Sequence, residues 1–167
     1  MACECTERQA IIDVLNAYAM CLDTRDWLGL NNVFHPEAIG IYGVTLNGRA
    51  EIVDSIRSFL DGCGPSQHLL GNYQISTDGD HAESSTKARV LHVGAGERAD
   101  LTPYEAIGVY HDRHVRTADG WRIIHRHFDV QIAIGDIKIL SARPPSSAPA
   151  AHRTSPGATA AAGRPRR

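Results

Sequence analysis

Residues 68–92 read HLLGNYQISTDGDHAESSTKARVLH, and this stretch decides the fold. Before it, apolar residues recur at helical spacing; from His68 onward the period drops to two. The Asp78-Gly79-Asp80 break is a turn signal between two strand-like runs. On the second run, Ala82, Ser84, Thr86, Ala88, Val90 and His92 share one face. Glu83, Ser85, Lys87, Arg89 and Leu91 share the other. The first set is small and apolar and suits a concave interior, while the second carries the charges and suits solvent. This reading turns His92 inward; the alternative is a half-exposed histidine at a strand end.

Two more strands follow. YEAIGVYHDRHVRT (104–117) leads through Ala118-Asp119-Gly120 into WRIIHRHFDVQIAI (121–134). On the first, Gly108, Tyr110, Asp112, His114 and Arg116 oppose Ile107, Val109, His111, Arg113 and Val115. Both sets are mixed, so alternation leaves open which one faces inward. On the second, Trp121, Ile123, His125, His127 and Asp129 oppose Ile124, Arg126, Phe128 and Val130, and a bulge would exchange them.

Upstream, the spacing predicts a helix from about Thr6, with Thr6 and Gln9 at capping-box distance. Ile11, Val14, Leu15, Tyr18 and Leu22 form its apolar stripe. Asp26 begins a second short helix carrying Leu30, Val33 and Phe34, closed by Pro36. IGIYGVTL (39–46) reads as a strand and Asn47-Gly48 as a turn. RAEIVDSIRSFLDG (49–62) reads as a third helix, with Ile52, Ile56, Phe59 and Leu60 on one side. Helices first and long antiparallel strands after predict an α+β fold, with a curved sheet wrapping the helices around a pocket.

Composition bounds the function. A chain of 167 residues favours one core. The domain is expected at 7–142, after a flexible N-terminus at 1–6. Residues 143–167, rich in Pro, Ala, Ser and Gly with few large apolar side chains, are expected to be a disordered tail. A net charge of -2 supplies no basic field for nucleic acid. No apolar run approaches the ~20 residues that span a bilayer. MACECTERQA lacks the basic start and apolar middle of a signal peptide, so a cytoplasmic location is expected. Cys3, Cys5, Cys21 and Cys63 include no C-x-x-C pair and read as free thiols. His125 and His127 share a strand face, but His111 and His114 point to opposite faces and no carboxylate or cysteine pattern completes a set. They read as surface or rim histidines, and no metal or organic cofactor is expected.

The catalytic question centres on His68 and Asp23. Asp23 lies where the first helix ends, just past an apolar stripe that includes Tyr18. A carboxylate there can orient and charge-stabilise a histidine, the base-and-orienter pairing of general acid–base catalysis. Alternatively, Asp23 caps a loop and His68 satisfies a backbone carbonyl in packed core.

The segments AYAMCLDTRDWLGLNNVFHPEA, NGRAEIVDSI, QHLLGN, DGDHAESSTKARVLH and GVYHDRHVRTADGWRIIHR, in this order and spacing, resemble the SnoaL-like proteins of the nuclear-transport-factor-two-like superfamily. The resemblance covers about residues 7–133. It implies a cone-shaped α+β barrel, with three N-terminal helices in the concave face of a curved, mostly antiparallel sheet. Relatives in that superfamily include scytalone dehydratase, bile-acid dehydratase, hexachlorocyclohexane dehydrochlorinase, polyketide cyclases and ketosteroid isomerases, and also non-catalytic small subunits of dioxygenases. QHLLGN resembles the dehydratase segment bearing the catalytic histidine, which carries over to His68. Tyr18 and Asp23 are placed like the tyrosine and aspartate of those pockets, and His92 near a second histidine. Arg126 matches an arginine following the Gly-Trp pair, and Tyr42 is a candidate pocket phenol; Tyr110 is taken with them as substrate-binding. The resemblance implies a cofactor-independent lyase or isomerase acting on a small apolar hydroxy-carbonyl, polyketide-like or steroid-like substrate, and a homodimer. The competing expectation is a ligand-binding or assembly module of the same fold, including an oxygenase small subunit.

Overall fold

The computed structural model describes residues 4–140; the expected tail at 143–167 lies outside them. The chain forms α1 (Glu4–Thr24), β1 (Phe34–Ile41), β2 (Thr45–Asn47), α2 (Arg49–Leu60), β3 (Ser66–Asp78), β4 (His81–His92), β5 (Tyr104–Thr117) and β6 (Gly120–Ile134). Short 3-10 turns occupy Gly29–Asn32, Gly96–Arg98 and Ile137–Leu140. The strands make one curved, unclosed sheet in the order β2-β1-β6-β5-β4-β3. β1 runs parallel to β6 and every other pairing is antiparallel. α1 crosses the concave face against β3 and β6, and α2 packs on β1. This is the expected α+β cone.

The helical part departs from expectation in two places. α1 begins at Glu4, so residues 4–6 belong to the helix and Thr6 lies within it rather than at its cap. The expected second helix is a single 3-10 turn. Asp26 Oδ1 does accept the Gly29 amide at 2.9 Å, but Phe34 pairs with Ile123 of β6 and continues as β1. A few residues of helix gain little, whereas a strand edge offers Phe34 a partner and a buried side. Pro36 falls where the β1–β6 register is interrupted, between Phe34 and Ile39, so its missing N–H costs no ladder bond. Among the described residues, two α-helices and a turn, not three helices, fill the cone. At the start of α2, Gly48 takes φ 87 and Glu51 Oε2 accepts the Asn47 amide at 2.8 Å.

Strand alternation holds on β4, where Ala82, Ser84, Thr86, Ala88, Val90 and His92 are all buried. On β5 the Tyr110, Asp112 and His114 face turns inward and His111 outward. On β6 the parity changes partway. Ile123 pairs with His114 and His125 with Arg113, leaving Ile124 as an extra residue. Trp121 and Ile123 therefore point inward before this bulge, and Arg126 after it. A second irregularity, at Gln131, faces Gly108, where a Cβ would meet the Asp129 carbonyl oxygen at 2.1 Å.

The first bulge drives a guanidinium into the core. Arg126 Nε and Nη2 donate to Asp112 Oδ1 and Oδ2, each at 2.7 Å, and both side chains are fully buried. The guanidinium carbon lies 4.0 Å from the Tyr18 ring centre and 4.3 Å from that of Tyr110. Asp112→Ala leaves this charge buried and unpaired, and is expected to cost about 3–5 kcal/mol. Urea unfolding measures the loss, and replacing both partners with Leu and Met is expected to recover most of it.

Candidate active site

The start of β3 and the end of β4 converge at the C-terminus of α1. Asp23 sits in its last turn and Tyr18 on its buried stripe. β3 enters beside it with Ser66 and His68, two residues apart and so on one side of the strand. His92, at the end of β4, pairs with Ser66 on one side and Tyr104 of β5 on the other. Tyr42 follows β1, and Tyr110 comes from the middle of β5.

His68 Nδ1 lies 2.7 Å from Asp23 Oδ1, and the His68 amide donates to Asp23 Oδ2 at 2.9 Å. One carboxylate thus holds both the ring and the backbone of the same residue. The His68 ring stands edge-on to Tyr18, with centroids 6.2 Å apart, and edge-on to His92 at 5.6 Å. His92 in turn stacks on Tyr104 at 6.4 Å. These rings wall a cavity of about 440 Å³, and its apolar surface comes from residues such as Leu22, Ile56, Leu60, Val90 and Phe128. That volume suits a compact organic molecule.

Tyr18, Tyr42, His68, His92 and Tyr110 line the cavity. Asp23 and Arg126 do not. Asp23 stands behind His68, and Arg126 lies beneath Tyr18 and Tyr110. Arg126 was expected to touch ligand; the bulge buries it one layer deeper, against Asp112. Tyr42 and His92 bring unused polarity to the cavity. The Tyr42 hydroxyl and His92 Nδ1 are buried without a hydrogen-bond partner.

Burial sets the protonation states. It holds the Tyr42 and Tyr110 hydroxyls well above the ordinary phenol range, with neighbouring Tyr18 reinforcing the effect, so both remain O–H donors at neutral pH. Burial, aided by the charges of His68 and Arg25, pushes His92 down to about 4. Burial would raise Asp23, but the hydrogen bonds from the His68 ring and amide and from Ser66 outweigh it and hold the carboxyl below its ordinary value. Asp23 is therefore an anion facing a histidine, while the Tyr42 and Tyr110 hydroxyls and the His92 ring at the cavity are neutral near pH 7.

Histidines of β5 and β6 divide between the two faces of the sheet. His114 turns inward, with Nε2 2.9 Å from Ser84 Oγ, and burial pushes it down to about 4. His111 and His127 stack outside at 6.2 Å, over a separate depression of about 560 Å³ on the convex face. Among the described residues no cluster of three or more His, Cys, Asp or Glu is arranged to hold a metal ion.

Some residues around the site were not anticipated. Ser66 donates to Asp23 Oδ1 at 3.1 Å, and its position two residues before His68 was the available signal. Ile137 and Leu140, from the turn after β6, close one side of the cavity. Their short apolar run was legible, but its return to the cone was not.

The sequence profile of the SnoaL-like domain matches residues 4–127. The chain belongs to the SnoaL-like family. An uncharacterized Mycobacterium tuberculosis protein is 35% identical over 127 residues, covering 74% of this SnoaL-like chain and 84% of its own. A Novosphingobium aromaticivorans structure assigned as a scytalone dehydratase superposes with TM-score 0.72 at 19% identity, over 86% of this chain and 95% of that one. The hexachlorocyclohexane dehydrochlorinase of Novosphingobium barchaimii superposes with TM-score 0.68 at 15% identity, over 83% and 96%. At such identities the likeness is one of fold. Among the described residues of this SnoaL-like chain, no helix is long and apolar enough to cross a membrane.

The buried histidines predict a pH dependence of stability. His92 and His114 titrate at about 4 when folded, against an ordinary value of 6.5. The unfolded chain binds more protons between those values, so stability falls as pH drops from about 6.5 towards 4. The urea midpoint is expected to be lower at pH 5 than at pH 7, and the His92→Asn, His114→Asn double variant to narrow the difference. Equal midpoints at the two pH values would contradict this assignment.

Proposed function

We propose that this chain is a cofactor-independent lyase of the dehydratase or cyclase type, acting on a small, largely apolar hydroxy-carbonyl compound. The observation that carries the proposal is the 2.7 Å contact between His68 Nδ1 and Asp23 Oδ1 at the wall of an apolar cavity. With Nδ1 committed to the carboxylate, Nε2 is the nitrogen left for a ligand. The neutral Tyr42 hydroxyl supplies a donor for a carbonyl oxygen that gains charge.

In this reading His68 Nε2 removes a proton alpha to the carbonyl, and the charge moves onto the carbonyl oxygen as an enolate. Asp23 stabilises the imidazolium. When the enolate collapses, the carbon–carbon double bond forms as the bond to the beta hydroxyl breaks. The imidazolium returns its proton to that hydroxyl, and water leaves. Where the substrate instead carries a second carbonyl, the enolate carbon bonds to that carbonyl carbon, its C=O π bond opens, and the imidazolium gives its proton to the resulting alkoxide as the ring closes. The chemistry named for the two solved relatives fits this scheme, since a dehydratase and a dehydrochlorinase both perform eliminations.

His68→Ala is expected to lower turnover by roughly a hundredfold or more, as loss of a general base does. Asp23→Asn is expected to act comparably by disturbing the histidine tautomer. The assay is loss of one water from a panel of beta-hydroxy ketones, followed by mass spectrometry, with circular dichroism to confirm that both variants fold. Undiminished dehydration in folded His68→Ala protein would refute the proposal.

A further inference from the structure

Arg25 follows the last residue of α1 with φ 60, a left-handed conformation that a residue with a side chain rarely adopts. Helices commonly end on glycine at such a position. Here the side chain supplies a reason for the strain. Its guanidinium donates to the Leu22 carbonyl, which also accepts the Arg25 amide at 3.3 Å, to the Gly64 carbonyl at 2.8 Å, and to Ser66 Oγ at 2.7 Å. One residue thus ties the end of α1 to the start of β3, and Asp23 and His68 lie on either side of that join.

The contacts have a fixed direction. Arginine has donors only, so Ser66 Oγ accepts from Arg25. The single hydroxyl proton of Ser66 is then free for Asp23 Oδ1, 3.1 Å away. Asp23, an anion that only accepts, takes this bond, the His68 amide on Oδ2, and the ring on Oδ1. The ring nitrogen facing a carboxylate held in this way must carry a proton.

We propose that Arg25 and Ser66 are positioning residues: the chain Arg25→Ser66→Asp23 fixes the carboxylate so that His68 is held as the Nδ1–H tautomer, with the Nε2 lone pair free towards the cavity. This rests on the reading of His68 as the base, but its physical content is the state of the ring, which can be observed without a substrate. Without the chain, Asp23 can rotate and admit water, and the two ring tautomers exchange.

Long-range proton–nitrogen correlation of the histidine rings in the ¹⁵N-labelled full-length chain near neutral pH provides the test. The wild type is expected to show His68 as one Nδ1–H tautomer with a protected ring proton. In Arg25→Met and Ser66→Ala the ring proton is expected to exchange with water about tenfold faster or more, and the Nε2–H form to appear. Arg25→Lys, which keeps the charge but not the fork, is expected to recover only part of the protection. Once a substrate is known, Arg25→Met is expected to lower kcat about tenfold with little change in KM. Should Arg25→Met fail to fold, Ser66→Ala decides, since it leaves the bonds to Leu22 and Gly64 in place. A folded Ser66→Ala protein whose His68 tautomer and ring-proton exchange match the wild type overturns the proposal. An altered ring in that variant, in a protein that dehydrates nothing, upholds the positioning and defeats the catalytic reading instead.

Discussion

The burial of Arg126 against Asp112 is the constraint on which the interior depends. A guanidinium enters a protein core only with its charge matched; here Nε and Nη2 are engaged, and Nη1 is buried without a hydrogen-bond partner. Asp112 matches the charge with two 2.7 Å bonds, and the rings of Tyr18 and Tyr110 cover the faces of the cation. The pairing joins β5 to β6 and seats α1 on both through Tyr18. Those same tyrosines line the cavity on their other side. The ion pair thus lies beneath the cavity, and the cavity walls stand on it.

The rim above that floor is built differently. The end of α1, the first residues of β3 and the last of β4 meet there, and polar groups meet with them. Asp23 is held by three donors from β3. Arg25 fastens the same two elements. A carboxylate on a frayed helix end would drift with solvent, whereas one bonded to the backbone of the residue it orients moves with that residue. Rigidity of this kind lets a single histidine present one nitrogen to a cavity.

Much of this was legible in the sequence, for local reasons. Alternation placed His92 inward because β4 carries its charges on one side only. The Tyr18 stripe and the position of Asp23 followed from helical spacing. What was not legible depended on single-residue slips. The extra residue at Ile124 has no compositional mark, yet it moved Arg126 from an undecided face into the core. Phe34 looked helical because its spacing to Leu30 is helical, and only the edge of β6, distant in sequence, makes it a strand. Arg25 was invisible because φ 60 at a non-glycine residue is a product of tertiary bonds, not of local preference.

The central claim is that His68 acts as a base towards carbon in this cavity. Hydrogen–deuterium exchange into a small apolar ketone that lacks a leaving group tests it most directly, because proton removal is then the only chemistry available. In deuterated buffer, incorporation alpha to the carbonyl is expected at a rate that collapses in His68→Ala and falls in Asp23→Asn. Incorporation at the same rate in wild type and in folded His68→Ala protein would contradict it.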